Sequence, residues 1–131
     1  MQNIRIDTES GAQEMLFTWA MWQQEGRPEL KLLYHVPNGG KRDVKTGRAL
    51  KRQGVKAGVP DLCLPVARGG YHGLYIELKV GKNKTTRKQE EWIAALRQQG
   101  NYVSVCYGWE EAKETIENYL DEKLGRKEVE G

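Results

Sequence analysis

The stretch VPDLCLPVARGGYHGLYIELK, Val59–Lys79, decides how this chain folds. It holds two strand-like runs, Asp61 to Ala67 and Leu74 to Lys79, joined by Arg68-Gly69-Gly70-Tyr71-His72-Gly73. A linker that short and that rich in turn residues predicts an antiparallel hairpin. Asp61 follows a proline at the mouth of the first run, and Glu77 and Lys79 lie two apart at the close of the second. Residues two apart on a strand face the same side. Glu77 and Lys79 therefore point together, while Ile76 and Leu78 face the other side, which can be core. The start of one hairpin strand lies beside the end of its partner, so Asp61, Glu77 and Lys79 converge on one spot.

Two carboxylates held close repel each other unless a cation lies between them. Hard oxygen ligands with no His or Cys beside them select Mg²⁺ or Mn²⁺ over zinc. A lysine next to such an ion can orient a water or stabilise charge building on a phosphate. The constellation suits phosphodiester hydrolysis. The plainer alternative is a surface ion pair between Glu77 and Lys79, with Asp61 an ordinary turn acid.

Working outward, Thr8 to Gln24 reads as a helix, capped by Thr8 or Ser10, with Ala12, Met15, Leu16, Trp19 and Trp22 at helical spacing. The tryptophans there read as core. Leu30 to Val36 reads as a short strand, broken by Pro37-Asn38-Gly39-Gly40. Arg48 to Arg52 reads as a short helical turn. After the hairpin, Thr85 or Thr86 starts a helix that Gly100 stops, with Trp92, Ile93 and Leu96 on one face. Tyr102 to Tyr107 is a strand, and Glu110 to Leu124 a helix with Ala112, Ile116, Tyr119, Leu120 and Leu124 inside. The order is an α/β arrangement: a mixed four-stranded sheet flanked by helices, αβββαβ plus a C-terminal helix. One domain over residues 1–124 and a flexible tail over 125–131 are expected.

The formal net charge is only +3, but its distribution is uneven. From Lys41 to Lys56 there are seven Lys/Arg against Asp43 alone. A basic segment of this kind points to an anionic partner, nucleic acid first. Cys63 and Cys106 lie in apolar runs without a CxxC motif and read as buried, reduced thiols. Met1 to Asp7 has no apolar h-region, and no run approaches the length of a membrane span. A cytoplasmic protein, in a bacterium or a phage-infected cell, is expected.

The motifs also resemble a known family. Pro60-Asp61 followed by Glu77-Leu78-Lys79 looks like the PD-(D/E)xK nuclease signature. With Pro37 to Arg42, Gly54 to Asp61, Gly73 to Lys79, Gln89 to Trp92 and Gly108 to Ala112, the chain resembles the virus-type replication-repair nuclease (VRR-NUC) domain, in the stand-alone form that phages carry. The resemblance implies a restriction-endonuclease-like core and divalent-metal-dependent cleavage of DNA. It implies Asp61, Glu77 and the Leu78 carbonyl as metal ligands, and Lys79 as the residue that positions the attacking water. It also implies an acid on the first helix and a glutamine on the second. For the acid, Glu9 and Glu14 both qualify; Glu9 is preferred because Gln13 follows it at i,i+4. For the glutamine, Gln89 fits, but Thr86-x-x-Gln89 also fits a capping box.

Lys41, Arg42, Lys45, Arg48, Lys51, Arg52 and Lys56 precede Asp61 and are read as phosphate contacts, with Asn38 in a turn near the scissile phosphate. Lys82, Lys84, Arg87 and Lys88 bracket the site from the other side. Stand-alone members of the family imply a homodimer acting on branched DNA such as four-way (Holliday) junctions. A flap- or nick-directed monomeric nuclease and a DNA-binding module without catalysis remain as alternatives. His35 and His72 read as a strand residue and an exposed turn residue.

Overall fold

The computed structural model describes residues 4–37 and 44–125, with the backbone alone for residues 44 and 45. Its elements run α1 (Glu9–Gln23), a 3₁₀ segment (Pro28–Leu32), β1 (Tyr34–His35), α2 (Val44–Arg52), β2 (Leu62–Leu64), β3 (Leu74–Lys79), α3 (Arg87–Gln98), β4 (Tyr102–Tyr107) and α4 (Trp109–Leu120). The four strands form one sheet in the order β1-β2-β3-β4. β1 and β2 pair antiparallel, as do β2 and β3, whereas β3 and β4 are parallel. Parallel neighbours need a crossover, and α3 supplies it. The mixed sheet with flanking helices is the α/β architecture the sequence implies.

β3 lies in the interior of the sheet. Leu74, Ile76 and Leu78 pack on one face against Ala12, Leu16 and Ala20 of α1 and Ala112, Ile116 and Tyr119 of α4. The Tyr119 hydroxyl donates to the Val66 carbonyl at 2.6 Å, tying α4 to the end of the hairpin. On the opposite face, α3 lies against β4, with Ile93 and Val103 buried. Thr8 caps α1, its hydroxyl accepting from the Gly11 amide at 3.0 Å. Gly100, at φ 90°, ends the turn after α3 where a side chain would be strained.

Several expectations change: of the run Asp61–Ala67 only Leu62–Leu64 is strand, and the last helix ends at Leu120 rather than Leu124. Leu30 to Val36 is not a continuous strand. Pro28 opens a 3₁₀ segment, the buried pair Leu30 and Leu33 has a three-residue spacing, and only Tyr34 and His35 extend. The helical turn expected at Arg48–Arg52 is the end of a longer helix that starts at Val44. Trp22 is not core: it is 80% exposed. The inner stripe of α1 steps by four through Ala12, Leu16 and Ala20, and six residues of helix carry Trp22 about 120° away from Leu16. Cys63 and Cys106 are buried and free, on β2 and β4 with β3 between them, as buried reduced thiols would be.

Leu16, fully buried between α1 and the sheet, is the contact that holds the first helix over β3. Leu16→Ala should lower unfolding free energy by roughly 2–5 kcal/mol in a denaturant titration.

Candidate active site

The hairpin register brings the three charged residues together. Leu62 pairs with Ile76 and Leu64 with Leu74. Continued past the end of β2, that register sets Asp61 opposite Glu77 and Pro60 opposite Leu78. The Asp61 carbonyl is engaged with β1, accepting from the Val36 amide at 2.7 Å. Its carboxylate turns to β3, where Oδ2 accepts from the Leu78 amide at 2.8 Å. Pro60 has no N–H to donate to the Leu78 carbonyl. The proline thus ends the ladder one step early on the side where Leu78 points its oxygen.

Glu77 and Lys79 are not a surface ion pair. They are 1% and 6% exposed. The Lys79 ammonium lies 3.9 Å from Glu77 Oε1, and the same oxygen accepts from Gln89 Nε2 at 3.1 Å. Glu77 Oε2 is buried without a hydrogen-bond partner. Burial, then hydrogen bonding with Asp61 and the Asp61 charge, push the Glu77 carboxyl up to about 9, with Lys79 opposing the rise. An orphaned oxygen and a proton held near neutrality are what two carboxyls show when the charge between them is not neutralised.

The structure places the helix residues on which the sequence left alternatives open. Glu9 and Gln13 line a cleft of about 360 Å³ with His35, Pro37, Asp61 and Leu78, whereas Glu14 is exposed and does not reach it. Glu9 Oε2 accepts from Asn83 Nδ2 at 3.0 Å. Gln89 both closes the cap of α3 and touches Glu77. Its Oε1 accepts from the Thr86 amide at 2.8 Å, and its own amide donates to Thr86 Oγ1 at 3.2 Å, which completes the capping box. The oxygen being taken, the NH₂ group is left to face Glu77. The helix cap therefore sets which way the carboxamide points.

His35 and Asn83 also reach the site, a role the sequence reading gave to neither. His35 Nδ1 lies 3.0 Å from the Asp61 carbonyl. Only the pairing of β1 with β2 reveals that contact; for Asn83 the one linear signal is its place just after Glu-x-Lys. Of the expected phosphate contacts, Arg48, Lys51, Arg52 and Lys56 are exposed on α2 and the loop after it. Lys45 is in α2 with its side chain outside the description, and Asn38, Lys41 and Arg42 lie outside the described residues.

The donor set fits a hard divalent cation: two adjacent carboxyls, one with an unpartnered buried oxygen, and a main-chain carbonyl facing a proline. Among the described residues no group of three or more His, Cys, Asp or Glu could hold an ion by itself. Glu9 is thus brought to the cleft but not into a ready cage with Asp61 and Glu77. Two protein carboxylates with waters completing the shell is the usual arrangement for Mg²⁺.

A mixed sheet between helices, with Pro-Asp opening one hairpin strand and Glu-x-Lys closing the next, defines a nuclease of the PD-(D/E)xK type. The chain belongs to the VRR-NUC domain family, whose profile matches residues 7–110. A solved structure described as a VRR_NUC domain protein is 34% identical, with 96% of this chain and 94% of that one covered and a TM-score of 0.76. No curated protein matches the chain. DNA is the partner such a domain implies, and no described helix is long and apolar enough to cross a membrane.

Two outcomes follow from the geometry. Between pH 4.5 and about 9 the unfolded chain releases the Glu77 proton while the metal-free fold retains it. Stability therefore falls as pH rises across that window. Thermal melts in EDTA should show this slope, and Glu77→Gln should flatten it. Thr86→Ala and Gln89→Ala should each cost about 1 kcal/mol through loss of the cap. Calorimetric Mn²⁺ titration should separate them, with the larger loss of affinity in Gln89→Ala, which also removes the Glu77 contact.

Proposed function

We propose that this chain is a divalent-metal-dependent DNA endonuclease, using Mg²⁺ or Mn²⁺, and selective for branched DNA such as four-way junctions. The observation that carries the reading is the buried Glu77–Lys79 pair beside the half-buried Asp61, with its unpartnered Glu77 oxygen. Burying such a group is costly, and a cation ligand removes the cost. Asp61, Glu77 and the Leu78 carbonyl would hold the ion, with Glu9 contacting its waters. When bound there, a divalent cation would lower the pKa of a water and draw charge from a phosphoryl oxygen.

The protein side chains divide the remaining work. Lys79 holds the attacking water by its ammonium and faces the charge that builds on the phosphate. The water oxygen bonds to phosphorus and gives its proton to solvent. The bond to the leaving sugar oxygen breaks, and that oxygen takes a proton from solvent. Gln89, fixed by its cap, keeps Glu77 turned into the site. None of the described side chains of α2 contributes to the buried core. The helix instead presents Arg48, Lys51 and Arg52 to solvent, as a surface for the DNA backbone requires. Asn38, Lys41, Arg42, Lys45 and Lys56 extend that surface in this reading.

One chain carries one such site, so symmetric cutting of two strands requires a two-fold pair. The proposal therefore includes a homodimer, formed by the nuclease domain of residues 1–124 and acting in the cytoplasm. Residues 125–131 are a tail in this reading.

End-labelled four-way junction, flap and plain duplex DNA, each with Mg²⁺, Mn²⁺ or EDTA, test the reading. The metal-supplied chain should nick the junction symmetrically, EDTA should abolish cutting, and Lys79→Ala should lower the rate by roughly 10²–10³. Binding should weaken steeply with salt, and Lys51→Glu with Arg52→Glu should weaken it for all sequences alike. Binding without cleavage of any substrate would reduce the chain to a DNA-binding module.

A further inference from the structure

A second cleft, of about 400 Å³, lies beside the catalytic cluster. One wall is the end of α2 and the loop after it; the other is the exposed side of the first turns of α3. Lys51 and Lys56 on the first wall and Lys88 on the second border one space. None of the three makes a described ion pair, and the acid in the lining, Glu91, is occupied by Arg87 at 3.3 Å. Val55 and the half-buried Trp92 supply apolar surface between the cations.

The walls are held at a set distance. Gly58, at φ 92°, packs on the backbone of Lys88 so closely that a Cβ there would lie 2.7 Å from the Lys88 carbonyl. Along the chain, both walls lie close to the candidate site. Gly58 is three residues before Asp61, and Lys88 is the residue before Gln89. A ligand seated against Lys88 lies one residue along α3 from Gln89, which touches Glu77.

Cations around an aromatic face, in a recess of small-ligand size, match a nucleotide better than a duplex. A base stacks on the indole while its phosphates meet the lysines. A base-paired nucleotide has no free face to offer, so the cleft discriminates between paired and unpaired strands. We infer that the cleft formed by Lys51, Val55, Lys56, Lys88 and Trp92 binds one unpaired nucleotide of a DNA strand adjoining the cleavage site. The inference rests on the nuclease reading above and gives its selectivity for branched DNA a location.

The test uses the full chain in EDTA, where no strand is cut. Fluorescence anisotropy compares a labelled duplex carrying a short unpaired gap with a continuous duplex of equal length. The wild type should prefer the gapped probe. Trp92→Ala should lose that preference, by roughly tenfold given the strength of base–aromatic stacking, with affinity for the continuous duplex unchanged. Trp92→Phe, which keeps an aromatic face, should retain it. Lys88→Glu, an exposed change that leaves the indole in place, should lose it as well. Equal wild-type affinity for both probes overturns the inference, as does an equal loss for both probes in Trp92→Ala. Displacement of the gapped probe by a free deoxynucleoside monophosphate overturns it too, since the ligand is then a soluble nucleotide. Mn²⁺-supported cleavage with no preference for unpaired DNA overturns the cleft and leaves the nuclease standing. A Trp92-dependent preference without cleavage of any DNA does the reverse.

Discussion

Two carboxyl groups forced together at the buried end of a hairpin are the constraint on which the rest of this structure depends. Asp61 and Glu77 approach because the antiparallel register of β2 and β3 leaves them opposite each other. They stay close because the Asp61 carboxylate accepts from the Leu78 amide, one residue beyond Glu77 on β3. Neither carboxyl can swing away, and Glu77 is nearly sealed from water. Lys79 and Gln89 offset part of the resulting penalty, and one oxygen is left with no partner. The fold therefore stores an electrostatic demand at a defined point, and a divalent cation is the kind of partner that meets it.

The surrounding residues serve the fold and the site at once. The main chain of Asp61 pairs with β1 while its side chain pairs with β3. Gln89 closes the capping box of α3 with its oxygen and holds Glu77 with its nitrogen. Glu9 begins α1, lines the cleft and receives Asn83 from the loop after β3. The crossover helix α3 makes the parallel pairing of β3 and β4 possible and also delivers Gln89 to the site. In such an arrangement stability and activity respond to the same substitutions. Affinity for a metal ion is the quantity that separates a site residue from a purely structural one.

The basic surface is arranged differently. α2 stands outside the core, and its cations are free to follow a phosphate backbone. Where its trailing loop docks through Gly58 onto α3, that surface gains a recess bordered by an indole. Diffuse charge supplies affinity for any DNA; a recess of fixed width can tell one form of DNA from another.

Much was legible in the chain itself. The hairpin, the Thr86 cap, the succession of helices and strands and the convergence of Asp61, Glu77 and Lys79 all follow from turn and capping residues and from periodicity, which are local and repeat every two or few residues. Cap and site role for Gln89 stood as rivals in the sequence because a capping box names only backbone partners; Glu77 lies on another element. The choice of Glu9 over Glu14, the burial of Glu77 and Lys79, and the arrival of His35 and Asn83 depend on which surfaces meet. The exposure of Trp22 does so too, since helical spacing marks a stripe but not which neighbour the stripe will face. What the sequence by itself determined is each element and the chemistry it carries, because those depend on near neighbours along the chain. The tertiary structure alone decided which charges lose their water and which oxygen is left unpartnered, because desolvation is a property of the assembled interior.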